Sequence, residues 1–162
     1  MLQAPDTVIR DAQLADLDTI VEFNLRLARE SEQRELDRSL LVPGVRRILE
    51  DSSHGCYHLA QRGSEIAGQL MITREWSDWR CGEFWWIQSV YVAPEHRRQG
   101  VFSALYRHVL EQARARTDIC GIRLYVEDEN TRAQTTYRAA GMHPTGYRVM
   151  EVDFRSAAKA PP

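Results

Sequence analysis

Apolar positions along the chain alternate between helical and strand spacing, which predicts a mixed α/β fold. Behind a short apolar strand at residues 8–10, hydrophobic side chains recur every three or four residues, as they do on one face of a helix. These positions are Leu14, Leu17, Val21, Leu25 and Ala28. A second, short helix is predicted to begin at Pro43, because proline fits the first turn of a helix.

The middle of the chain predicts three strands. Residues 56–61 and 66–73 are apolar runs separated by Arg62-Gly63-Ser64-Glu65, a pattern typical of a β-hairpin. Residues 83–92 are rich in aromatic and β-branched side chains, so they predict the long central strand of the sheet.

The second half of the chain alternates helices with strands. The pattern predicts a helix at residues 101–116, a strand at 119–126, a helix at 131–140 and a closing strand at 147–154, and Gly141 stands where a helix C-cap is expected. The first of these helices connects two strands of one sheet, so the strands that end at Val92 and Val126 should be parallel neighbours. The predicted order of elements is βααβββαβαβ.

Length, charge and cysteine content restrict the class of protein. A chain of 162 residues suffices for one domain, expected over residues 1–162 with a flexible tail from about residue 156. A formal net charge of −2 argues against a general nucleic-acid binder. We expect neither a membrane span nor a signal peptide, because no apolar run has the required length or place. Three widely spaced cysteines indicate reduced thiols in a cytoplasmic protein.

The most specific local pattern lies between residues 90 and 105, which predict a strand, a tight basic turn and the start of a helix. Gly100 allows a ligand to approach the backbone closely, and Arg97 and Arg98 add positive charge. The amides of residues 99–103 would converge at the helix N-terminus, which is a favourable place for a phosphate group. The sequence contains neither a P-loop motif nor the glycine fingerprint of dinucleotide-binding folds.

Two blocks of the sequence resemble the GCN5-related N-acetyltransferases (GNAT). The pattern Arg97-x-x-Gly100-x-Phe102 is similar to that family's pyrophosphate signature, Gln/Arg-x-x-Gly-x-Gly/Ala, and departs from it at Phe102. The second block lies one strand further along the chain and resembles the family motif Asn-x-x-Ala-x-x-x-Tyr-x-x-x-Gly-Phe. Its matching positions are Asn130, Ala133, Tyr137, Gly141 and Met142.

The resemblance implies a GNAT-like fold, a co-substrate and a set of binding residues. The implied fold is a mostly antiparallel central sheet with one splayed parallel strand pair, flanked by helices. Acetyl-CoA would lie in the gap of that pair, with its pantetheine arm bonded to the backbone of the first splayed strand. The implied cofactor-binding residues are Val90, Tyr91, Val92, Arg97, Arg98, Gln99, Gly100, Val101, Phe102, Ser103, Asn130, Ala133 and Tyr137.

The resemblance also implies that Tyr137 is the general acid of the reaction. Expulsion of coenzyme A leaves a thiolate, and a positioned phenol can give it a proton. Tyr137 shares a helix face with Ala133, so it could instead fill space in the core. Asn130 could likewise serve as a helix N-cap, as a cofactor contact or as both.

A nearby carboxylate or a chain of water molecules has to take the proton of the attacking ammonium group. Several members of the family use a glutamate of the central strand, but the corresponding places here hold Trp86 and Gln88. The candidate catalytic bases are therefore Glu83, Glu75 and Glu127, with Asp78 in the same acidic region.

All four tryptophans lie between positions 76 and 86, close to these acidic residues. An aromatic wall beside carboxylates suits a cationic acceptor. The same cluster would also suit a hydrophobic core or the interface of a homodimer.

We therefore expect an enzyme that moves an acetyl group from acetyl-CoA directly to a primary amine of a small, cationic acceptor. One alternative is a coenzyme A-binding sensing module with little catalysis. The other is an enzyme that transfers a larger acyl group or acetylates a protein N-terminus.

Two further chemistries are not expected. The pattern His54-x-Cys56-x-His58 offers zinc ligands, but on one strand they would be too nearly collinear for a tetrahedral site, so the sequence predicts no metal. A serine hydrolase is excluded because the GxSxG nucleophile motif is absent.

Overall fold

The computed structural model describes residues 7–154 and has the mixed α/β fold that the sequence predicts. Its elements are β1 (Thr7–Asp11), α1 (Leu17–Glu32), α2 (Arg38–Glu50), β2 (Cys56–Arg62), β3 (Glu65–Ser77), β4 (Gly82–Val92), α3 (Val101–Arg114), β5 (Ile119–Leu124) and α4 (Thr131–Ala139). The strands form one sheet in sequence order, β1 to β5. Among the strands of residues 7–154, only β4 and β5 are parallel, which confirms the predicted crossover through α3.

Helices cover both faces of the sheet. Tyr57 and Leu59 of β2 pack in one buried cluster with α1 and α2, where Ile20 and Val21 are fully buried. His58 points to the opposite face because side chains alternate along a strand, and its ring contacts α3. Val101, Leu105 and Val109 are the most deeply buried side chains of α3, at the four-residue spacing of one helix face.

Two compact units make up the chain, one ending at Tyr125 and one beginning at Val126. The first unit contains the whole sheet together with α1, α2 and α3, and the second contains α4. The assignment of the chain to a single domain stays a prediction, and the expected flexible tail lies outside the described residues. Among the helices of residues 7–154, none combines the length and the apolar character needed to cross a bilayer.

The predicted start of the second helix is wrong. Helix α2 begins at Arg38, five residues before Pro43. The Asp37 side chain accepts a hydrogen bond from the Ser39 amide at 2.8 Å, and the Asp37 carbonyl accepts one from the Leu41 amide at 2.9 Å. This cap starts the helix early enough that Pro43, which has no amide hydrogen, lies inside it.

The closing strand predicted at residues 147–154 is also wrong, because this segment has irregular backbone. Its apolar side chains are largely exposed; they are Tyr147, Val149, Met150, Val152 and Phe154. Alternation of apolar and polar residues defines the two faces of a strand, but a strand forms only with a hydrogen-bonded neighbour. Within the described residues this segment pairs with no strand.

The end of α4 confirms a smaller prediction. Gly141 follows the helix with a φ of 89°, the left-handed conformation expected of a C-cap glycine. The Gly141 amide donates to the Arg138 carbonyl at 3.0 Å, and the Met142 amide donates to the Tyr137 carbonyl at 3.0 Å. These two bonds satisfy carbonyls that the helix end would otherwise leave unpaired.

Candidate functional site

The sheet opens between its two parallel strands. Pairing of β4 with β5 runs from Glu83, opposite Ile119, to Ile87, opposite Leu124. Strand β4 continues to Val92 while it pairs with β3. In the described part of the chain, residues 88–92 therefore have no ladder partner on the β5 side. This opening leaves a strand edge that an extended ligand can use as its hydrogen-bonding partner.

A β-bulge in β4 lies at the same level. Ser89 has a φ of 49°, in the left-handed region that non-glycine residues rarely adopt. The register with β3 shifts here, because Gln88 lies opposite Met71 whereas Tyr91 lies opposite Gln69. An extra residue on one strand bends that strand and increases its twist. The bulge therefore coincides with the place where β4 and β5 separate.

A buried network of polar side chains supports the bulge. Gln69, which is fully buried, donates from Nε2 to the Ser89 carbonyl at 3.2 Å and to Asn24 Oδ1 at 2.7 Å. Asn24 Nδ2 in turn donates to the Tyr57 hydroxyl at 3.0 Å. Burial raises the pKa of Tyr57, so its hydroxyl stays protonated at neutral pH. The network thus connects the bulge carbonyl to α1 and β2.

The turn after β4 presents backbone amides at the start of α3. Gly100 has a φ of 80° and is the N-cap of the helix, and the first helical bond joins the Ala104 amide to its carbonyl at 2.9 Å. The amides of residues 101–103 precede that bond and have no acceptor within the helix. Apart from Gly100 and its two neighbours in the chain, no described residue has an atom within 4 Å of the place that a Gly100 side chain would take. The turn is therefore open for a ligand.

The two arginines of this turn have different surroundings. Arg97 Nη2 contacts Glu30 Oε2 of α1 at 2.5 Å, and Arg97 Nε donates to the Val92 carbonyl at 2.9 Å. The Tyr91 hydroxyl donates to the other oxygen of Glu30 at 2.8 Å. Burial opposes ionisation of Glu30, but the hydrogen bonds from Arg97 and Tyr91 lower its pKa overall. Arg97 thus ties the turn to α1, whereas Arg98 is exposed beside it.

The ring of Phe102, the residue that departs from the family signature, stacks on Tyr106. The two ring centroids are 5.9 Å apart, and Tyr106 lies one turn further along α3. The Phe102 ring is half-buried in this position. Its backbone amide belongs to the first turn of the helix, where amide hydrogens have no partner within the helix.

A cavity of about 620 Å³ lies between α1, α2 and the sheet. Its walls are mostly apolar and include Leu27, Leu41 and Met71. Polar residues line it where it reaches the bulge, including Tyr57, Gln88 and Ser89, and the acidic residues Glu32 and Asp37 belong to its lining elsewhere. A concave, largely apolar space with a few convergent polar groups is typical of a small-molecule site.

Glu75 and Glu83 do not line this cavity. Glu75 accepts hydrogen bonds from Trp86 Nε1 at 2.5 Å and from Arg123 Nη1 at 3.2 Å. Glu83 Oε2 lies 3.8 Å from Arg74 Nε near the start of β4. Five residues of strand separate Glu83 from Gln88, which corresponds to about 17 Å. Both carboxylates are thus paired with arginines away from the bulge.

The four tryptophans do not share one environment. Trp85 is buried in the sheet, whereas Trp76 and Trp79 are exposed. Trp86 is half-buried and stacks on Tyr125, with ring centroids 4.4 Å apart. The sequence left three uses open for the tryptophans: an aromatic wall for a cationic acceptor, a hydrophobic core and a dimer interface. Trp85 is the one among the four that is buried in the core.

The second unit carries the other predicted site residues. Asn130 caps α4, because its Oδ1 accepts the Ala133 amide at 3.0 Å. Tyr137 is half-buried in the same helix, and burial raises its pKa. Glu127 is exposed just before the helix, and its carbonyl accepts a bond from Gln134 Nε2 at 3.1 Å. The roles of these residues in chemistry stay predictions.

Sequence reasoning missed the buried network and the cavity. Asn24, Tyr57 and Gln69 lie on three different elements, so their spacing in the sequence carries no signal. A signal for Asp37 was present, because aspartate is one of the residues preferred at a helix N-cap. The cavity itself depends on how α1 and α2 pack, which local patterns do not determine.

Comparisons with known proteins identify relatives of this chain. The profile of the acetyltransferase (GNAT) family matches residues 17–142. A possible acetyltransferase from Clostridium difficile 630 has 44% sequence identity and a TM-score of 0.86, over 91% of this chain and 97% of that one. A search of curated proteins gave no significant match.

More distant solved structures share the fold. A predicted acetyltransferase from Clostridium acetobutylicum, solved with acetyl-CoA, has 17% identity and a TM-score of 0.74, over 91% of this chain and 96% of that one. The aminoglycoside N-acetyltransferase AAC(6')-Iy, solved with CoA, has 17% identity and a TM-score of 0.76, over 96% of this chain and 99% of that one.

Proposed function

The chain belongs to the acetyltransferase (GNAT) family, and we propose that it transfers an acetyl group from acetyl-CoA to a primary amine of a small acceptor. The observation that carries this proposal is the opening of the sheet at the β4 bulge, between an amide-rich turn and a cavity. Such an opening would bring an acyl donor bound at the turn and the strand edge into contact with an acceptor bound in the cavity.

The residues around the opening fit the donor. The free edge of β4 at residues 88–92 suits the amide-containing pantetheine arm, and the amides of residues 101–103 suit a pyrophosphate. Arg98 is exposed beside those amides and supplies positive charge. The fold-level relatives solved with acetyl-CoA and with CoA support the same choice. When bound, acetyl-CoA supplies the activated acetyl group.

The cavity between α1 and α2 supports an acceptor that has an apolar body and an amine. Its apolar walls suit the body, and the negative charges of two lining residues, Glu32 and the α2 cap Asp37, favour an ammonium group. The sequence placed the acceptor beside the tryptophans. The cavity supports a position closer to α1 and α2, at the bulge. A cavity that reaches Gln88 and Ser89 leads the amine to the strand edge proposed for the donor.

Two proton transfers, from the attacking amine and to the leaving thiolate, are proposed to involve side chains of this chain. The amine must lose a proton before it attacks, and Glu32, which lines the cavity, is the proposed acceptor for an amine bound there. Glu75, Glu83 and Glu127 stay the candidates for an acceptor bound beside the tryptophans, as the sequence predicts. Tyr137 is proposed to protonate the leaving thiolate, on the strength of its place in the family motif. Burial raises the pKa of Tyr137, so its phenol keeps the proton at neutral pH.

A sensing module with the same fold is the alternative from another class. It would bind coenzyme A and release no thiol when an amine is added. Thiol release measured with acetyl-CoA over a panel of amines therefore separates the two functions, and a panel of amines with apolar bodies is the first to test.

Gly100→Glu should weaken the binding of coenzyme A at least about 10-fold, because it places a carboxylate against the proposed pyrophosphate site. Isothermal calorimetry measures the affinity. Gly63→Glu is the matched control, since Gly63 also has a positive φ and open space around it but lies in the β2–β3 turn. Equal affinities in the two variants would place the pyrophosphate elsewhere.

Tyr137→Phe should lower kcat about 10-fold or more while the affinity for acetyl-CoA stays nearly unchanged, since only the hydroxyl is removed. Steady-state kinetics measures kcat, and calorimetry measures the affinity. Tyr147→Phe is the control, because that side chain is exposed in the same unit. A kcat equal to that of the parent would mean that Tyr137 only fills space.

The variant that lacks the catalytic base should be recognisable from the pH dependence of its kcat/KM. A primary amine with a pKa of about 10.4 costs about 4.6 kcal/mol to deprotonate at pH 7, so loss of the base should matter most there. We expect one variant among Glu32→Gln, Glu75→Gln, Glu83→Gln and Glu127→Gln to lose kcat/KM near pH 7 and to recover by about pH 9 to 10. If all four follow the parent across this range, the proposal of a carboxylate base among these residues fails.

A further inference from the structure

Three potential metal ligands converge on the face of the sheet that α3 covers. Asp11 is the last residue of β1, His58 lies opposite it in β2, and His108 belongs to α3. One ligand atom from each of these residues lies within 4.8 Å of the others. The cluster shares no residue with the cavity between α1 and α2 or with the Gly100 turn.

His58 is the buried member of the cluster, with 3% of its surface exposed. Its Nδ1 lies 2.9 Å from Asp11 Oδ1, the distance of an ion pair, although the angles of a hydrogen bond are not met. Its other ring nitrogen, Nε2, lies 3.6 Å from Cys56 Sγ, a distance at which an N–H group can donate to sulfur. With the proton on Nε2, the lone pair of Nδ1 and the Asp11 oxygen are two electron donors at short range. A cation between them would satisfy both.

His108 completes the cluster from the helix. Its ring centroid lies 5.3 Å from that of His58, with the two rings nearly perpendicular. Gln112 Nε2 lies 3.0 Å from His108 Nε2, and a half-turn of this amide would place its oxygen there to accept the Nε2 hydrogen and leave the Nδ1 lone pair for an ion. Metal-binding histidines usually donate the hydrogen of their second ring nitrogen to such an oxygen.

We propose that Asp11, His58 and His108 bind one Zn²⁺ ion, with water as the remaining ligand. Two imidazole nitrogens and a carboxylate oxygen are a ligand set that zinc accepts, at bond lengths of about 2.0–2.2 Å. Asp11 is exposed, so its side chain is free to adjust to these distances and leaves room for a water molecule. The ion would link β1 and β2 to α3, and α3 carries the Gly100 turn at its N-terminus.

This site differs from the pattern that the sequence offered. The three residues His54, Cys56 and His58 come from one segment, whereas the proposed ligands come from β1, β2 and α3. Only His58 belongs to both sets. Ligands from three elements can surround an ion, which solves the problem of collinear side chains on a single strand.

The test uses the full chain without an affinity tag, after treatment with a chelator. Calorimetry with Zn²⁺ and visible absorption with Co²⁺ measure binding, and thermal unfolding measures stabilisation. We expect one ion per chain and a higher Tm in the presence of Zn²⁺, because an ion that binds only the folded state stabilises it. His108→Ala and Asp11→Asn should each weaken Zn²⁺ binding at least about 10-fold.

His54→Ala is the matched control, because His54 is exposed, pairs with Asp51 and lies outside the cluster. It should bind Zn²⁺ like the parent. Circular dichroism checks that each variant is folded, and both ligand variants replace residues that are less buried than His58. Absence of saturable binding in the parent would overturn the proposal. Parent-like binding in folded His108→Ala, or loss of binding in His54→Ala, would also overturn it.

Discussion

The hydrogen bond from the buried Gln69 side chain to the Ser89 carbonyl holds the bulge on which the candidate site depends. A bulge leaves a backbone group without its ladder partner, and such a group costs about 1–3 kcal/mol when it is buried and unpaired. Gln69 offsets this cost, and Asn24 fixes Gln69 in turn. The strained φ of Ser89 is therefore supported by a network that connects three elements.

The bulge determines what lies on either side of it. The one-residue shift turns Tyr91 toward α1, where its ring lies 5.1 Å from that of Phe23 and its hydroxyl contacts Glu30. Glu30 also holds Arg97, so the turn before α3 is attached to the same helix that lines the cavity. The open strand edge, the amide-rich turn and the cavity thus depend on one set of contacts between α1 and β4.

Local patterns in the sequence were sufficient for the elements that local physics controls. Strand alternation, helical spacing and the handedness of the crossover predicted the sheet and its parallel pair, and the spacing around Gly100 predicted the turn that opens α3. The start of α2 was missed because the Asp37 cap outweighed the signal of Pro43. The closing strand was predicted wrongly because alternation of apolar and polar residues does not supply a strand partner. The cavity and the Gln69 network arise from contacts between distant segments, which no local pattern carries.

The proposed function requires coenzyme A to bind along the open edge of β4 and at the start of α3. Hydrogen exchange of the full chain, measured with and without saturating coenzyme A, tests this claim most directly, because it reports on individual amides. We expect slower exchange at residues 89–92 and at residues 101–103, where free amides become hydrogen-bonded or covered. Unchanged exchange in both segments, with protection confined to other parts of the chain, would contradict it.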